Sequence, residues 1–238
     1  MKHLKLNEKI LRDYCEDVEK KKVKAVNETK LVHEFLTYIQ LHNEHMKKAN
    51  AYEIASTIRS FKTWYSNKDK EPDSNHGASH RDVYYVDLGA YNLKYESGFI
   101  HPCIVIRKYD GNALVVPCSS KKYGKEDDLI FDIEKGGAFR ENTGALLDQV
   151  RNVSVTRFKG KMGRVSSEVF DDLLEQLFKK YFCKKYFDFE SLKNKNKKLE
   201  KQVSEFNGKI NVLEEQISDK DKQISELQNK LKELEKVY

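Results

Sequence analysis

From Leu192 to the C-terminus the apolar residues fall on a heptad grid, and no other feature of the chain limits its fold so sharply. Position d holds Leu192, Leu199, Phe206, Leu213, Leu227 and Leu234, with Lys220 as the interruption. Position a holds Asn196, Val203, Ile210, Ile217, Ile224, Leu231 and Tyr238. A seam this narrow needs a partner helix, and mostly β-branched residues at a with Leu at d favour two parallel strands. A buried Asn196 would fix their register. The g-to-e′ partners of a self-pairing coil include Lys195–Glu200, Lys209–Glu214 and Lys230–Glu235, with no like-charge pair. The pattern predicts a parallel homodimeric coiled coil over residues 188–238.

The remainder of the 238 residues divides by composition. Lysines crowd positions 20–24 and 184–201, while the middle is richer in Val, Ile, Tyr and Phe. A net charge of +6 suits an acidic partner such as RNA, although lysine-rich helix faces are more often simply solvated. Cys15, Cys103, Cys118 and Cys183 show no C-x-x-C spacing, and Cys103 and Cys118 sit in apolar runs as small buried hydrophobes. A reducing cytoplasm is the expected setting. Charges in Met1–Leu11 and the lack of a run of ~18 apolar residues predict neither export nor a membrane span.

Residues 1–70 read as a helical N-terminal segment. Leu31, Phe35, Tyr38, Ile39 and His42 recur at helical spacing, as do Ile54, Ile58, Phe61 and Tyr65. Asn27 is the candidate cap of the first of these helices, and Trp64 is expected to pack. A polar stretch with Pro72 and Gly77 predicts a linker over 71–80. Residues 81–183 hold short apolar runs at 83–88, 100–106, 113–118, 129–133 and 146–150, with Asp110-Gly111-Asn112 as a hairpin connection. A helix follows, capped by Ser166 or Ser167, with Phe170, Leu173, Leu174, Leu177 and Tyr181 on its apolar face. The fold class expected is therefore α+β, a small SH3-like β-barrel between the helical segment and the coiled coil.

The strand region carries an ordered set of motifs. It begins Asp82-Val83-Tyr84-Tyr85-Val86-Asp87-Leu88, and continues with Glu96-Ser97-Gly98-Phe99-Ile100-His101-Pro102-Cys103. Next come Val115-Val116-Pro117-Cys118-Ser119-Ser120-Lys121 and Ala145-Leu146-Leu147-Asp148-Gln149-Val150-Arg151. This order resembles the MazF/PemK family of toxin endoribonucleases, small barrels that cut single-stranded RNA. The resemblance implies cleavage without metal or cofactor, leaving a 2′,3′-cyclic phosphate. It also implies an Arg-Pro step entering a central strand and a Thr or Ser ending the next.

Those two positions hold His101 and Ser119, the expected catalytic pair. Metal-free cleavage needs a base for the 2′-hydroxyl, an acid for the 5′-oxygen and donors to the phosphate. An arginine would act chiefly on charge, whereas a histidine with a pKa of roughly 6.5 can transfer a proton. The competing reading of His101 is a residue held extended by Pro102. Ser119 would donate to a phosphate oxygen. Glu96 is the supporting carboxylate, or simply an exposed turn residue. Ser120, Lys121, Lys122, Gln149, Arg151 and Arg157 are candidates to line an RNA groove, with base reading assigned to Gln149. For Arg151 and Arg157 a structural ion pair fits as well.

The resemblance further implies an antitoxin protein as partner and a homodimer formed through the barrel, to which the coiled coil would add. A non-catalytic module binding nucleic acid or a protein target is the alternative, since the barrel's relatives include gyrase poisons. The added N-terminal helices are a candidate inhibitory module. Other patterns lead nowhere: Gly160-Lys161-Met162-Gly163 lacks P-loop spacing, His42 and His45 lack further ligands, and Asp127-Asp128 stands alone.

Overall fold

The computed structural model describes residues 5–234, with side chains as far as Asn229. Expectations resting on Met1–Leu4, on Leu231, Leu234 and Tyr238, and on the Lys230–Glu235 pair lie outside the described residues. The described chain is α+β, with five α-helices and a seven-stranded antiparallel sheet. It forms two compact units, one ending at Phe170 and one beginning at Asp171.

The first unit opens with α1 (Glu8–Glu16), α2 (Thr29–Met46) and α3 (Ala51–Asn67). Asn7 caps α1 by accepting from the Ile10 N–H, and Asn50 caps α3 by accepting from Glu53. Asn27 does not cap α2: it ends a 3₁₀ turn, and Glu28 takes the cap position without a side-chain bond. The Glu28 carboxylate is occupied instead, accepting from the Tyr14 hydroxyl at 2.6 Å and Lys20 at 2.8 Å. Those two bonds, Lys20 first, hold its carboxyl below the ordinary range.

The apolar stripes predicted for these helices do not become their buried faces. Phe35, Tyr38, Ile39, Ile58, Phe61 and Tyr65 are exposed, as is Trp64, which touches only Phe61 and Lys68 among ring contacts. The buried positions are polar: Glu34, Thr37, Ser60 and Thr63. Polar anchoring outweighs periodicity here because each of these groups meets a specific partner. Glu34 accepts from the Asn7 N–H, Ser60 donates to Asp87 at 2.7 Å, and Lys159 donates to Thr63 at 2.7 Å.

The segment read as a linker has no regular structure but lies against the sheet. Ala78 is buried, and His76 packs on Tyr84 and Phe158. Pro72 crosses the turn at Gly111, where an added Cβ would come within 2.2 Å of the proline ring.

The strands are β1 (Asp82–Asp87), β2 (Ile100–Tyr109), β3 (Asn112–Ser119), β4 (Ile130–Ile133), β5 (Thr143–Leu146), β6 (Arg151–Ser154) and β7 (Phe158–Arg164). Their order is β4-β5-β3-β2-β1-β7, and β6 also pairs with β3. The β2–β3 hairpin turns at Asp110-Gly111, as the sequence predicts. Tyr84, Val86, Cys103, Val105, Ala113, Val115 and Val153 form the core, and each large apolar side chain buried there contributes about 1.5–3 kcal/mol.

Two expectations are corrected. The barrel is not closed, because β4 and β7 are sheet edges without pairing to one another. The glycine-bearing β7 follows β1 with two register shifts, and a 3₁₀ turn at Val155–Arg157 separates it from short β6. The strand expected over 146–150 is instead the last residue of β5, a 3₁₀ turn at Leu147–Gln149, and Val150, which caps that turn just before β6. β7 itself was not anticipated, its two glycines and basic residues obscuring any apolar alternation.

At the start of β1, Asp82 is buried between two cations, with Lys161 and Arg164 each 2.9 Å from the same oxygen. Burial pushes its pKa up, but Lys161, the Ser79 N–H and Arg164 outweigh that and hold it low. The helix α4 (Ser167–Tyr181) begins where Ser166 caps it by accepting from the Val169 N–H at 3.2 Å.

The second unit contains the rest of α4 and the long helix α5 (Cys183–Leu234). Phe178 gathers Phe182, Tyr186 and Phe189 at ring separations of 5.9–6.2 Å around the break between them. Beyond this cluster the a and d residues from Leu192 to Leu227 are exposed. No helix among the described residues is long and apolar enough to cross a membrane.

Candidate active site

The geometry of the site starts with hairpin register. Cys103 faces Pro117 and Ile104 faces Val116 across β2 and β3. That pairing ends at Cys103–Pro117, which brings His101 to the end of β3 that carries Cys118 and Ser119. Pro102 keeps His101 extended, and the adjacent pairing of His101 with Val86 of β1 fixes the other side. His101 Nδ1 lies 3.3 Å from the carbonyl oxygen of Cys118. Because a carbonyl only accepts, Nδ1 is the donor in this contact, and in the neutral ring Nε2 is then the basic nitrogen.

Burial is the largest influence on the imidazole and disfavours its charged form. The Cys118 carbonyl works the other way, as does that of Gly98, whereas Arg151 and Lys121 oppose protonation. The net result is a pKa below the ordinary 6.5. The surroundings of His101 therefore favour its neutral form.

Ser119 ends β3, half-buried and paired with Gly144 of β5. Its hydroxyl has no hydrogen-bond partner among the described residues. The chain then tightens into a 3₁₀ turn over Ser120–Lys122, which exposes Ser120 and Lys121. Gly144 makes that turn possible: a Cβ there would lie 2.7 Å from Ile130 and 3.1 Å from the Lys122 backbone. Arg151 reaches the site from β6, where it is held opposite Val115.

The loop from Leu88 to Phe99 forms the remaining wall. Its neck is closed by Leu88 N–H to Phe99 at 2.7 Å and Phe99 N–H to Gly89 at 2.6 Å. Phe99 takes φ +60°, a left-handed conformation costing about 1–3 kcal/mol for a residue with a Cβ. Glu96 sits on the exposed tip and accepts from the Leu93 N–H. Gln149 is not free: its carbonyl accepts from the Ser97 N–H at 2.6 Å, and its amide donates to the Tyr95 carbonyl at 2.8 Å. Arg157 lies elsewhere, donating to the Asp87 carbonyl at 3.1 Å.

His101, Ser119, Lys121 and Arg151 are thus brought together, with Ser120 adjoining. Glu96 and Gln149 line a neighbouring depression that shares Arg151. Three contributors escaped the sequence reading: the Cys118 carbonyl, the close packing of Gly144, and the strained Phe99. Only Gly98, preceding Phe99, hinted at unusual backbone.

Because Gln149 clamps the loop at two points, Gln149→Ala is expected to release it. Amide exchange at Ser97 should accelerate by roughly tenfold, as loss of about 1–2 kcal/mol of hydrogen bonding implies. Unchanged exchange at Ser97 would show the clamp to be idle.

Residues 79–180 match the family described as PemK-like, MazF-like toxin of type II toxin-antitoxin system. This stretch is a PemK/MazF toxin domain. The helices α1–α3 and all of α5 lie outside the match. Among similar solved structures is an endoribonuclease from a mycobacterial species in complex with its cognate antitoxin, at 11% identity and a TM-score of 0.35. That alignment covers 43% of this chain and 92% of that one. The Mycobacterium tuberculosis toxin MazF-mt6 aligns at 10% identity over 41% of this chain and 93% of its own, with a TM-score of 0.34. MazF from Deinococcus radiodurans aligns at 13% identity over 42% and 93%, with a TM-score of 0.36. No curated protein matches the chain.

Proposed function

We propose that the chain is a toxin endoribonuclease that cuts single-stranded RNA in a sequence-selective, metal-independent way. The reading is supported by His101, held at Nδ1 by the carbonyl of Cys118 next to Ser119, with Arg151 and Lys121 close enough to act on its ring. His101 Nε2 takes the 2′-hydroxyl proton, and the 2′-oxygen attacks phosphorus. The bond to the 5′-oxygen breaks, that oxygen takes a proton from water, and the imidazolium returns its proton to solvent. Ser119 donates to a non-bridging oxygen, while Arg151 and Lys121 balance the added negative charge. Ser120 extends the donor set at the turn. Glu96 orients the approaching strand.

Base selection falls to the 93–97 loop rather than to Gln149 directly. The Tyr95 ring is 83% exposed there, offering a face on which a base can stack. An antitoxin protein covering this basic groove would keep the toxin inactive, and pairing through α5 would make the working form a homodimer.

Incubation of the purified chain with mixed-sequence RNA in EDTA tests the reading. Cuts at a recurring sequence with 2′,3′-cyclic phosphate ends are expected, and binding should weaken with salt as counterions are released. Binding without any cutting would instead support a non-catalytic module, the reading that the histidine in place of the family's arginine favours.

A further inference from the structure

A second cleft lies on the other face of the sheet. Ile100 lines it, and because Ile100 and His101 are consecutive on one strand their side chains point to opposite faces. The cleft runs between α3 and the β1–β7 pair and encloses about 430 Å³, within the size range of small-ligand sites. One wall is α3, which lies outside the family match, and the other comes from the matched strands. One end is aromatic, with Tyr52 of α3 meeting Phe99 edge-on at 6.1 Å and the half-exposed Tyr85 on the floor. The other end is cationic. Arg59 stands two turns along α3 from Tyr52, and Lys159 reaches Thr63 one turn further.

Among the described residues neither cation is neutralised: the Lys159 ammonium bonds to the neutral Thr63 hydroxyl, Arg59 has no ion pair, and no carboxylate lines the cleft. Aromatic faces at one end and two uncompensated cations at the other match a planar base joined to a phosphate. We propose that this cleft binds a nucleotide, its base against Tyr52 and Phe99 and its phosphate on Arg59 and Lys159. The proposal does not rest on RNA cleavage, although Phe99 borders both sites.

Calorimetric titration of the full chain with adenosine 5′-monophosphate tests the assignment. Arg59→Glu should weaken binding on the order of tenfold or more, as loss of a charge-assisted contact implies. Tyr52→Ala should weaken it about 5- to 150-fold, the range for removing one stacking ring, and Tyr52→Phe should restore it. Both side chains are exposed, so the variants should fold, as circular dichroism will check. Lys121→Glu, on the opposite face, should leave this affinity unchanged.

A short oligoadenylate distinguishes the sources. Arg59-dependent binding tighter than the mononucleotide's identifies the ligand as a nucleotide within a strand; binding of the mononucleotide alone identifies a free nucleotide. Inorganic phosphate binding as tightly as the mononucleotide would overturn the aromatic half of the assignment. Loss of binding in Lys121→Glu but not in Arg59→Glu, or no binding at millimolar concentration, would overturn the whole.

Discussion

His101→Ala is expected to slow RNA cleavage by ~10²–10⁴-fold while RNA affinity changes little, the range for removing a proton-transfer group. The pH profile sharpens this expectation. The base is active when unprotonated, so the rate should hold level through neutrality and fall as pH drops through the folded-state pKa. Burial, with Arg151 and Lys121, sets that pKa below 6.5, so the acid limb should have its midpoint there. His101→Arg supplies the family's residue and removes the titrating group, so any activity it keeps should lose the limb. Ser119→Ala should cost less than His101→Ala, because a single neutral donor to phosphate is lost rather than the path of the proton. Cleavage by His101→Ala at the unmodified protein's rate would defeat the assignment. A limb that persists in His101→Arg would move it to another group.

The residues of this site were legible in the sequence where they follow local rules. The β2–β3 hairpin follows from Asp110-Gly111-Asn112 and the flanking apolar runs, and its register brings His101 to the Cys118–Ser119 end of β3. What could not be read is whatever depends on backbone atoms from distant segments. The Cys118 carbonyl that fixes the imidazole, and the two bonds that immobilise Gln149, have no residue-type signature. The helical segment shows the opposite failure. Its apolar periodicity was plain, yet the residues that dock it are Ser60 and Thr63, chosen by single partners on β1 and β7. The strand boundary at 146–150 failed for a related reason, since an apolar run that turns cannot be told from one that continues without its neighbours. The heptads of α5 remain an expectation that exposure alone does not test.

Ile217→Asp is expected to convert the full-length protein from dimer to monomer over a wide concentration range. In a self-paired α5 each copy would place an unpaired carboxylate in the seam, at a cost on the order of 3–5 kcal/mol. That cost raises the dissociation constant by roughly 10²–10³-fold or more, a shift sedimentation velocity reads directly. The orientation of the pair follows from charge. An antiparallel arrangement would bring g residues against g and e against e, so that Lys195 and Lys209 would face only Lys and Gln and find no carboxylate partner. A parallel arrangement pairs each lysine with a glutamate instead. Mild oxidation separates the two: Cys183, exposed at the start of α5, should cross-link between copies only if the helices run parallel. A Cys15→Ser background removes the other exposed thiol. Lys220→Leu should tighten the dimer, because it replaces two facing ammonium groups at d with a packed pair. If the unmodified protein sediments as a monomer at tens of micromolar, the seam is made for a different helix. Self-pairing through α5 would instead hold two toxin domains at high effective concentration, so that a weak contact between them persists at low protein levels.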